Sequence, residues 1–509
     1  MSEFEPAFAD FEETYRNGAA QVVWTRLIDD LETPVSAFLK IAAAEPYAFL
    51  FESVEGGAWR GRYSIIVFRP DMVWRCRGDS AESATGREVE TGRFRPIAGG
   101  ALSSLRDLVA GARLNLPAPL PPMAAGVFGV MGYDMVRLVE RLPAQNPDPL
   151  GLPDAVMIRP SIVAVFDAVA QAILLVTTVR PSGDSAEAAW REAQERLAAV
   201  RGDLARPLAG AVAAAPRVQG ALASKVSRQA YSAIVERAKT YIRAGDIFQV
   251  VPSHRFSAAF DGDPLALYRS LRRINPSPYL YYLHFPEFQL VGSSPEILVR
   301  LRDGKITIRP LAGTRPRGST PEEDQALERE LLADEKERAE HLMLLDLGRN
   351  DVGRVARLGH EARNAPRTRV ANVRVTESFA VERYSHVMHI VSNVEGIAPE
   401  SVDPVDVVMA ALPAGTLSGA PKVRAMQIID TLESEKRGVV YGGAVGYFGA
   451  DGSVDTCIVL RTALIKDGAM YVQAGGGVVA DSGPDAEYEE TLHKSRALLR
   501  AAEEAWRFG

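Results

Sequence analysis

A nine-residue loop concentrates groups that could bind an anion. Residues 310–318 read Pro-Leu-Ala-Gly-Thr-Arg-Pro-Arg-Gly, so Gly313 and Thr314 offer an amide and a hydroxyl directly before two arginines. Planar guanidinium groups bind carboxylates through two parallel hydrogen bonds. The loop therefore favours a small carboxylate ligand, and Ala312 leaves a neutral position within it.

Two pairs of acidic residues could bind a cation. Glu337 and Glu340 lie three residues apart in a helical pattern, and Glu487 and Glu490 repeat this spacing near the carboxyl terminus. Residues three apart share a helix face, so each pair repels itself unless a cation lies opposite. Mg²⁺ is a candidate because it binds one or two carboxylates together with water and substrate oxygens. The alternative is a solvated helix face, which the favourable position of Lys494, four residues after Glu490, supports.

Three glycines, an arginine and a tyrosine could complete an anion site. Gly475, Gly476 and Gly477 follow a predicted strand, where backbone N–H groups could approach a carboxylate closely, or where the strand simply ends. Arg461 lies in a sheet-like segment and needs an anionic partner, either an internal acid or a ligand. Tyr441 is either a core residue with a satisfied hydroxyl or a ligand contact.

His389 has two interpretations. It shares one face of a predicted strand with Val387 and Val391, which is typical of a neutral core histidine. An imidazole at such a position could also act as a catalytic acid or base.

The composition excludes several classes of protein. The chain has 509 residues, 47% hydrophobic and 24% charged, with a net charge of -7, so it lacks the basic surface of a nucleic-acid-binding protein. Cys76 and Cys457 are too few for a disulfide framework, and a reducing cytoplasm is expected. No secretory signal and no apolar run of about 18 residues is present, so no membrane association is expected.

The length predicts two lobes. Residues 1–205 combine helical and strand-like segments, and we predict that they form an amino-terminal lobe. Composition changes at residues 206–224, which are rich in Ala, Gly and Val and are predicted to be a linker, with a short alanine-rich helix as the alternative. Residues 225–509 are predicted to form the catalytic domain.

The second part reads as helices packed on antiparallel sheet. A helix is predicted to begin after Ser227 and to stop at Gly245, followed by a strand over residues 247–251. Asp-Gly pairs at residues 303, 451 and 467 each predict a hairpin turn, and the last helix is predicted to begin near Pro484.

These motifs resemble those of the chorismate-utilising enzymes. The loop at 310–318 is similar to their Pro-Ile-x-Gly-Thr-Arg-Pro-Arg-Gly signature, and the resemblance covers nearly everything from Ser227 to the carboxyl terminus, with the motifs in the family's order. It implies an α+β fold of antiparallel β-sheets packed face to face with helices outside, in two lobes. It also implies an enzyme that acts on chorismate.

The resemblance assigns expected roles to these residues. Glu340 and Glu490 match the family's Mg²⁺ ligands, Glu337 and Glu487 match supporting acids, and Lys494 matches a lysine near the substrate. The pattern Val-Met-His makes His389 an acid–base candidate, expected to assist loss of the substrate hydroxyl. The other positions expected at the chorismate site are Thr416, Gly313, Thr314, Tyr441, Arg461, Gly475, Gly476 and Gly477.

Two neutral positions favour ammonia as the nucleophile. Sister enzymes that add water are similar around Gln249 but carry a lysine as base, and aminodeoxychorismate synthases carry a lysine where this chain has Ala312. Gln249 cannot act as a base, but it can position ammonia. The resemblance therefore implies the anthranilate-forming branch. Aminodeoxychorismate synthesis and a non-catalytic tryptophan-binding regulator remain alternatives.

A second motif pair points to regulation and partners. Residues 275–281 could be a turn before a strand, but they resemble a tryptophan feedback motif, which Phe51-Glu52-Ser53 is expected to complete. Ser53, Pro278, Tyr279 and Leu280 are thus expected to bind tryptophan, and Cys457 matches a position tied to feedback. Neither cysteine has the setting of a glutamine-hydrolysing nucleophile. A separate glutamine amidotransferase subunit, and hence a hetero-oligomer, is expected.

Overall fold

The structure, a computed structural model, describes residues 3–53, 61–143, 146–208, 222–356, 372–384 and 387–508. The α-helices in these ranges are α1 Phe8–Arg16, α2 Pro34–Ile41, α3 Arg87–Thr91, α4 Ala101–Gly111, α5 Ala186–Leu204, α6 Arg228–Arg243, α7 Pro264–Ile274, α8 Pro321–Ala333, α9 Glu335–Ala356, α10 Pro404–Ala411, α11 Lys422–Leu432 and α12 Pro484–Glu504. Short 3₁₀ helices include Tyr133–Leu138 and Gly415–Leu417.

The strands of these ranges pair antiparallel throughout. They are β1 Gln21–Ile28, β2 Ala48–Glu52, β3 Tyr63–Arg77, β4 Ser80–Thr85, β5 Arg95–Ile97, β6 Gly126–Met131, β7 Ala155–Asp167, β8 Ala172–Val179, β9 Ala223–Ser224, β10 Gln249–Val250, β11 Ser253–Ala259, β12 Tyr279–His284, β13 Gln289–Ser294, β14 Ile297–Arg302, β15 Lys305–Ile308, β16 Leu311–Pro316, β17 Val373–Arg383, β18 Val387–Ile397, β19 Gly419–Ala420, β20 Ala444–Gly449, β21 Val454–Ile458, β22 Thr462–Lys466 and β23 Ala469–Gly475.

Two long strands connect two packed sheets. The first sheet runs β1-β8-β7-β3-β2-β12-β13-β22-β23-β11-β9, and the second runs β5-β4-β3-β7-β6-β20-β21-β14-β15-β18, with β16 and β17 on β18. β3 and β7 take part in both sheets, and the register of their pairing shifts between Pro70 and Met72. Such a bulge bends a strand, which lets β3 pass from one sheet to the other.

Apolar side chains fill the space between the sheets and the two outer faces. Phe49 and Leu464 of the first sheet pack in one cluster with Phe128 and Val445 of the second. Helices α1, α2, α5, α7 and α12 bury their apolar faces on the first sheet, and α4, α9 and α10 cover the second. The predicted fold class, antiparallel sheets face to face with helices outside, is confirmed.

Strands from both parts of the sequence alternate in the sheets. β2 pairs with β12, and β6 pairs with β20, so the first 205 residues contribute strands beside those of the last 285. Residues 209–221 of the predicted linker lie outside the described residues. No helix of the described residues is long and apolar enough to cross a membrane.

Local sequence signals agree with the structure at several turns and differ at one strand. Asp303-Gly304 and Asp467-Gly468 adopt the left-handed φ angles of a tight hairpin turn, and Ser227 caps α6 through a hydrogen bond from the Ala230 amide at 3.1 Å. The strand predicted over residues 247–251 is limited to two residues of β10, which pair with β19.

Candidate active site

A β-bulge brings the predicted anion loop against the predicted catalytic histidine. β16 and β18 pair so that Thr314 lies opposite His389, and the register shifts at Gly313, whose φ is 69°. His389 Nδ1 lies 2.9 Å from the carbonyl oxygen of Gly313 and 3.1 Å from Thr314 Oγ1. A carbonyl oxygen only accepts hydrogen bonds, so Nδ1 carries the ring proton and Nε2 is the proton acceptor.

His389 is uncharged in this setting. The residue is 3% exposed, and burial lowers the pKa of its imidazole to about 4. The hydrogen bond to the Gly313 carbonyl raises this pKa, and the positive charge of Arg461 lowers it. At neutral pH the ring is therefore a neutral imidazole that can take up a proton.

The two loop arginines bind protein carboxylates. Arg315 pairs with Asp334 at 2.8 Å, and Arg317 pairs with Asp324 at 2.8 Å. The sequence suggested these guanidinium groups as ligand anchors, but their donors are already directed at the helices that follow β16. The structure places most of the predicted loop in strand β16, and Gly313 and Thr314 are the groups of this segment that remain for an anion.

The two acidic pairs come together from different helices. Glu337 and Glu340 are on α9, and Glu487 and Glu490 are on α12. Burial raises the pKa of Glu340, a hydrogen bond from Gln249 opposes this, and the charges of Glu337 and Glu490 raise it further. Burial and the charge of Glu490 also raise the pKa of Glu487. Carboxylates that repel each other in this way are an arrangement that a bound cation would stabilise.

The oxygen atoms around these acids suit magnesium. Glu487 is 7% exposed, and its Oε2 is buried without a hydrogen-bond partner. Gln249 Nε2 donates to Glu340 Oε1 at 3.0 Å, and Lys494 Nζ lies 2.7 Å from Glu490 Oε1. Within the described ranges, no group of three or more His, Cys, Asp or Glu side chains could hold a metal ion alone. Mg²⁺ needs only one or two protein carboxylates, because water and substrate oxygens complete its shell.

The triple-glycine turn lies directly against these side chains. A Cβ on Gly476 would lie 2.5 Å from Glu487 Oε2, and one on Gly477 would lie 2.5 Å from Gln249 Nε2. Glycine is therefore required for the acids and the amide to approach the backbone this closely. Lys494 Nζ reaches the same turn and donates to the carbonyl oxygen of Gly475 at 2.9 Å.

Two amides of this turn are engaged inside the protein. The Gly476 N–H donates to the hydroxyl of Tyr231, on α6, at 3.3 Å. The sequence suggested all three glycine amides as donors to a carboxylate, but the Gly476 amide is already engaged, and the Gly475 amide interacts with the hydroxyl of Tyr441. The close approach of the turn to the acidic pairs is the more specific reason for its glycines.

Tyr441 and Arg461 border the site from the strand ends. Tyr441 is 4% exposed, and a Cβ added to Gly475 would lie 3.1 Å from its hydroxyl. Arg461 lies in a bend between β21 and β22, with φ at 48°, and not within a strand as the sequence predicted. Left-handed conformations of non-glycine residues cost energy and cluster at functional sites. From this bend the charge of Arg461 acts on both His389 and Glu296.

Glu296 is a candidate that sequence reasoning missed. It is 7% exposed, and Thr416 Oγ1 donates to its Oε1 at 3.4 Å. Burial raises the pKa of this carboxyl group to about 8, against the Thr416 hydrogen bond, a backbone hydrogen bond and the charge of Arg461. The group therefore keeps its proton at neutral pH and can act as an acid. A signal existed, since Glu296 is the one charged residue in Gln-Leu-Val-Gly-Ser-Ser-Pro-Glu-Ile-Leu-Val.

The predicted site residues form adjoining groups. One contains His389 with the β16 loop, a second contains the acidic pairs, Gln249, Lys494 and the glycine turn, and a third contains Thr416 with Glu296. The first two meet at Gly313, where a Cβ would lie 3.2 Å from Glu337 Oε2. Ala312 is 8% exposed and Gln249 is 2% exposed, so a lysine at either position would bring a charge into a buried environment.

A cavity separate from these groups lies where β2 meets β12. Leu280 pairs with Glu52 in the first sheet. The cavity is bordered by Ser53, Pro278 and Leu280, among other residues, which include Phe51, Glu52, Tyr63, Met123, Tyr279, Tyr281, Arg300, Arg302, Tyr447, Asp455 and Cys457. Apolar and aromatic groups thus surround an ion pair between Arg300 and Asp455 at 2.9 Å. Such a lining can enclose an aromatic ligand that carries charged groups.

Comparisons with known proteins agree along the chain. A family model described as chorismate binding enzyme matches residues 76–500. Anthranilate synthase component 1 of Cereibacter sphaeroides is 56% identical over 509 residues, which cover 99% of this chain and 98% of that protein. The protein of that name from Thermus thermophilus is 47% identical over 476 residues, covering 94% of this chain and 96% of the relative.

Solved structures show the same fold. The crystal structure of anthranilate synthase component I from Streptococcus pneumoniae superposes with a TM-score of 0.75 at 34% identity, covering 93% of this chain and 99% of that one. The menaquinone-specific isochorismate synthase of Escherichia coli gives a TM-score of 0.68 at 18% identity, covering 97% and 99%. At that identity the likeness concerns the fold alone.

Proposed function

This chain belongs to the family of chorismate-binding enzymes, and from that premise we propose that it is the chorismate-converting subunit of an anthranilate synthase. The reaction joins chorismate and ammonia and releases anthranilate, pyruvate and water. It would be the first committed step of tryptophan synthesis. One observation carries the proposal: a relative named anthranilate synthase component 1 is 56% identical to this chain over 99% of its length.

The first step needs an acid, and Glu296 supplies it. Ammonia, positioned by Gln249, adds at C2 of the ring as the C4–O bond breaks. The departing hydroxyl takes the proton of Glu296 and leaves as water. Glu296 then recovers a proton from the ammonium group formed at C2. We assign this role to Glu296 in place of His389, because the His389 ring carries no transferable proton on Nε2 at neutral pH.

The second step needs a base, and His389 supplies it. Nε2 takes the remaining proton from C2, the bond from C3 to the enolpyruvyl oxygen breaks, and the ring becomes aromatic. The enolpyruvyl group gains a proton at its methylene carbon and leaves as pyruvate. Thr314 and the Gly313 carbonyl hold the imidazole in the required tautomer.

Mg²⁺ is the cofactor that fits the acidic pairs. Glu340 and Glu490 would hold it, with Glu337 and Glu487 supporting them, and when bound it would stabilise negative charge on a substrate carboxylate. Arg461, Tyr441, Thr416 and the glycine turn would orient the rest of the substrate. Lys494 neutralises part of the charge on α12.

Ammonia must come from another protein or from solution. Cys76 lies in β3 and Cys457 in β21, and burial raises the pKa of both thiols, that of Cys76 to about 12. Neither can supply the thiolate that glutamine hydrolysis needs. We therefore propose a glutamine amidotransferase subunit as partner, in a hetero-oligomer, and a cytoplasmic location.

One assay tests the proposal. The purified chain is mixed with chorismate, Mg²⁺ and ammonium at alkaline pH, and anthranilate fluorescence and pyruvate are followed. Formation of both supports the proposal. A stable amino-chorismate without pyruvate would instead indicate aminodeoxychorismate synthesis, and tryptophan binding without turnover would indicate a regulator.

Lysine at position 312 is expected to change the product. Ala312→Lys places an amine next to the ring site, where it competes with ammonia for chorismate. We expect anthranilate output to fall by about tenfold or more, since bound amine excludes a correctly placed ammonia. Anthranilate formation and trapped covalent adducts are measured by fluorescence and mass spectrometry, with Ala312→Val as the volume control. Normal anthranilate output from Ala312→Lys would contradict this account.

We also propose that tryptophan binds the cavity between β2 and β12 and inhibits turnover. Residues from distant parts of the sequence, including Ser53, Pro278, Tyr279 and Leu280, line this cavity, so a ligand there bridges β2 and β12 and can bias the arrangement of the site. The division of the sequence into an amino-terminal lobe over 1–205, a linker over 206–224 and a catalytic domain over 225–509 stays a proposal about the sequence, because strands of the two parts pair within the same sheets.

A larger side chain at Ser53 is expected to remove this inhibition. Ser53→Tyr fills the cavity, so we expect the tryptophan concentration for half inhibition to rise at least tenfold while turnover without tryptophan changes less than twofold. Ser401→Tyr, at an exposed turn, is the matched control. Equal sensitivity of wild type and Ser53→Tyr to tryptophan would place the inhibitor elsewhere.

A further inference from the structure

A buried ion pair lies behind the candidate site. The side chains of Arg437 and Glu433 are 1% and 4% exposed, and Arg437 Nε donates to Glu433 Oε2 at 3.0 Å. Buried ion pairs contribute little net stability, because desolvation of both charges offsets their attraction. The role of this pair therefore depends on the other groups that the guanidinium contacts.

The guanidinium group of Arg437 holds two loops that carry site residues. Its Nη1 donates to the carbonyl oxygen of Leu417 at 2.7 Å, and its Nη2 donates to that of Val251 at 2.7 Å. Leu417 directly follows Thr416, and Val251 is two residues after Gln249. One planar group thus fixes the spacing between the loop beside Glu296 and the strand that positions the nucleophile.

The faces of the same group contact two aromatic rings. Arg437 Cζ lies 4.7 Å from the ring centroid of Tyr133 and 5.2 Å from that of Tyr441. Gly442 has a φ of 79°, and a Cβ there would make a tight contact of 3.0 Å with Tyr133 Cδ2. The stacking orients Tyr441 toward the glycine turn and adds cation–π attraction.

Glu433 extends the network to the glycine turn. Its Oε1 accepts hydrogen bonds from the backbone N–H and the Oγ of Ser253, both at 2.8 Å. Ser253 pairs with Gly475 across β11 and β23. The ion pair therefore contacts the loop after Thr416 and the segment from Val251 to Ser253 directly, and it reaches the glycine turn through the pairing of Ser253 with Gly475.

We propose that Arg437, held by Glu433, is a positioning residue that sets the relative placement of Gln249, Thr416, Tyr441 and the glycine turn for the reaction. This inference rests on the proposed function. Arg437 touches no reacting atom, and its effect passes through the groups that it holds. Displacement of such groups by about 1 Å can lower a rate by about 10²-fold.

Two variants separate positioning from folding. Arg437→Lys keeps the positive charge beside Glu433 but cannot donate to two carbonyl groups and stack between two rings. The double variant Arg437→Met with Glu433→Leu removes both charges at similar volume, together with the hydrogen bonds to Leu417, Val251 and Ser253. Arg159→Lys is the control. Arg159 forms an ion pair with Asp71 at a distance of 2.7 Å, and this pair lies away from the site.

The readouts are the melting temperature, kcat and the KM values for chorismate and ammonium, with kcat corrected for the folded fraction. We expect both Arg437 variants to fold, to raise both KM values at least tenfold and to lower kcat/KM about 10²-fold, with Arg159→Lys unchanged. Wild-type KM values in either folded variant would overturn the inference. If both Arg437 variants failed to fold while Arg159→Lys folded, the inference would also be overturned, because the ion pair would then be needed for folding. Absence of turnover in the wild type would instead reject the proposed function.

Discussion

Glu296→Gln is expected to lower kcat with ammonia by about 10²–10⁴-fold, the contribution of a positioned general acid. Glutamine has the shape of the protonated carboxyl group and can accept the hydrogen bond from Thr416. It has no proton to transfer to the departing hydroxyl. The KM for chorismate should therefore change much less than kcat, and steady-state anthranilate formation measures both.

The pH dependence follows from the raised pKa of Glu296. Glu296 is an acid that must be protonated, so turnover at a constant concentration of free ammonia should fall as pH rises through about 8. Holding free ammonia constant is necessary because its fraction increases over the same range. Turnover that keeps rising above pH 9 under these conditions would show that the acid is another group.

Stability provides an independent check. In the unfolded chain this carboxyl group ionises near its ordinary pKa of 4.5, and in the folded chain near 8. The folded state holds the proton of Glu296 more tightly than the unfolded state does. Protonation of this group therefore stabilises the fold fully below about pH 4.5, and the stabilisation is lost as the pH rises to about 8. Glutamine does not titrate. Relative to wild type, Glu296→Gln should therefore gain stability between pH 5 and 9 in urea unfolding, whereas Glu287→Gln, at an exposed loop, should not.

Glu340→Gln is expected to lower kcat/KM by about 10²–10³-fold and to weaken Mg²⁺ binding. Loss of one carboxylate removes a direct ligand, and charge stabilisation by a bound metal contributes several kcal/mol. The substitution also relieves repulsion from Glu337 and Glu490, so the metal-free protein should be at least as stable as wild type. That combination, weaker metal binding in an undamaged fold, distinguishes a ligand from a structural residue.

Metal binding can be measured apart from turnover. Titration calorimetry with Mg²⁺ in the presence of chorismate should show a lower affinity for Glu340→Gln, and melting curves should show a smaller Mg²⁺-dependent shift. Glu335→Gln, an exposed acid at the start of the same helix, is the control. Wild-type Mg²⁺ affinity in Glu340→Gln would exclude this carboxylate as a ligand.

Several features could be predicted from the sequence because their causes are local. Asp303-Gly304 and Asp467-Gly468 adopt positive φ angles that these residues tolerate, so a hairpin follows from two adjacent residues. Ser227 caps α6 through a contact only three residues away. The order of the motifs was also sufficient to identify the family, since each motif is contiguous.

Other features depended on neighbours that the sequence does not reveal. Arg315 and Arg317 looked like ligand anchors, but the acids of α8 and of the turn after it occupy them. Arg461 looked like a strand residue, but it lies in a bend with a positive φ. The position of a charged side chain depends on which partner the fold brings near, and such partners are often distant in sequence.

The sequence by itself determined the family, the acidic pairs and the absence of lysine at Ala312 and Gln249. The tertiary structure alone decided the protonation states of the proposed acid and the proposed base. Glu296 keeps its proton because the fold buries it, even though Thr416, 120 positions away, donates a hydrogen bond that favours the charged form. His389 lacks a proton on Nε2 because the Gly313 carbonyl fixes its tautomer and burial disfavours its charge. Protonation depends on the local solvation of a group and on the charges around it, and only the folded chain sets these.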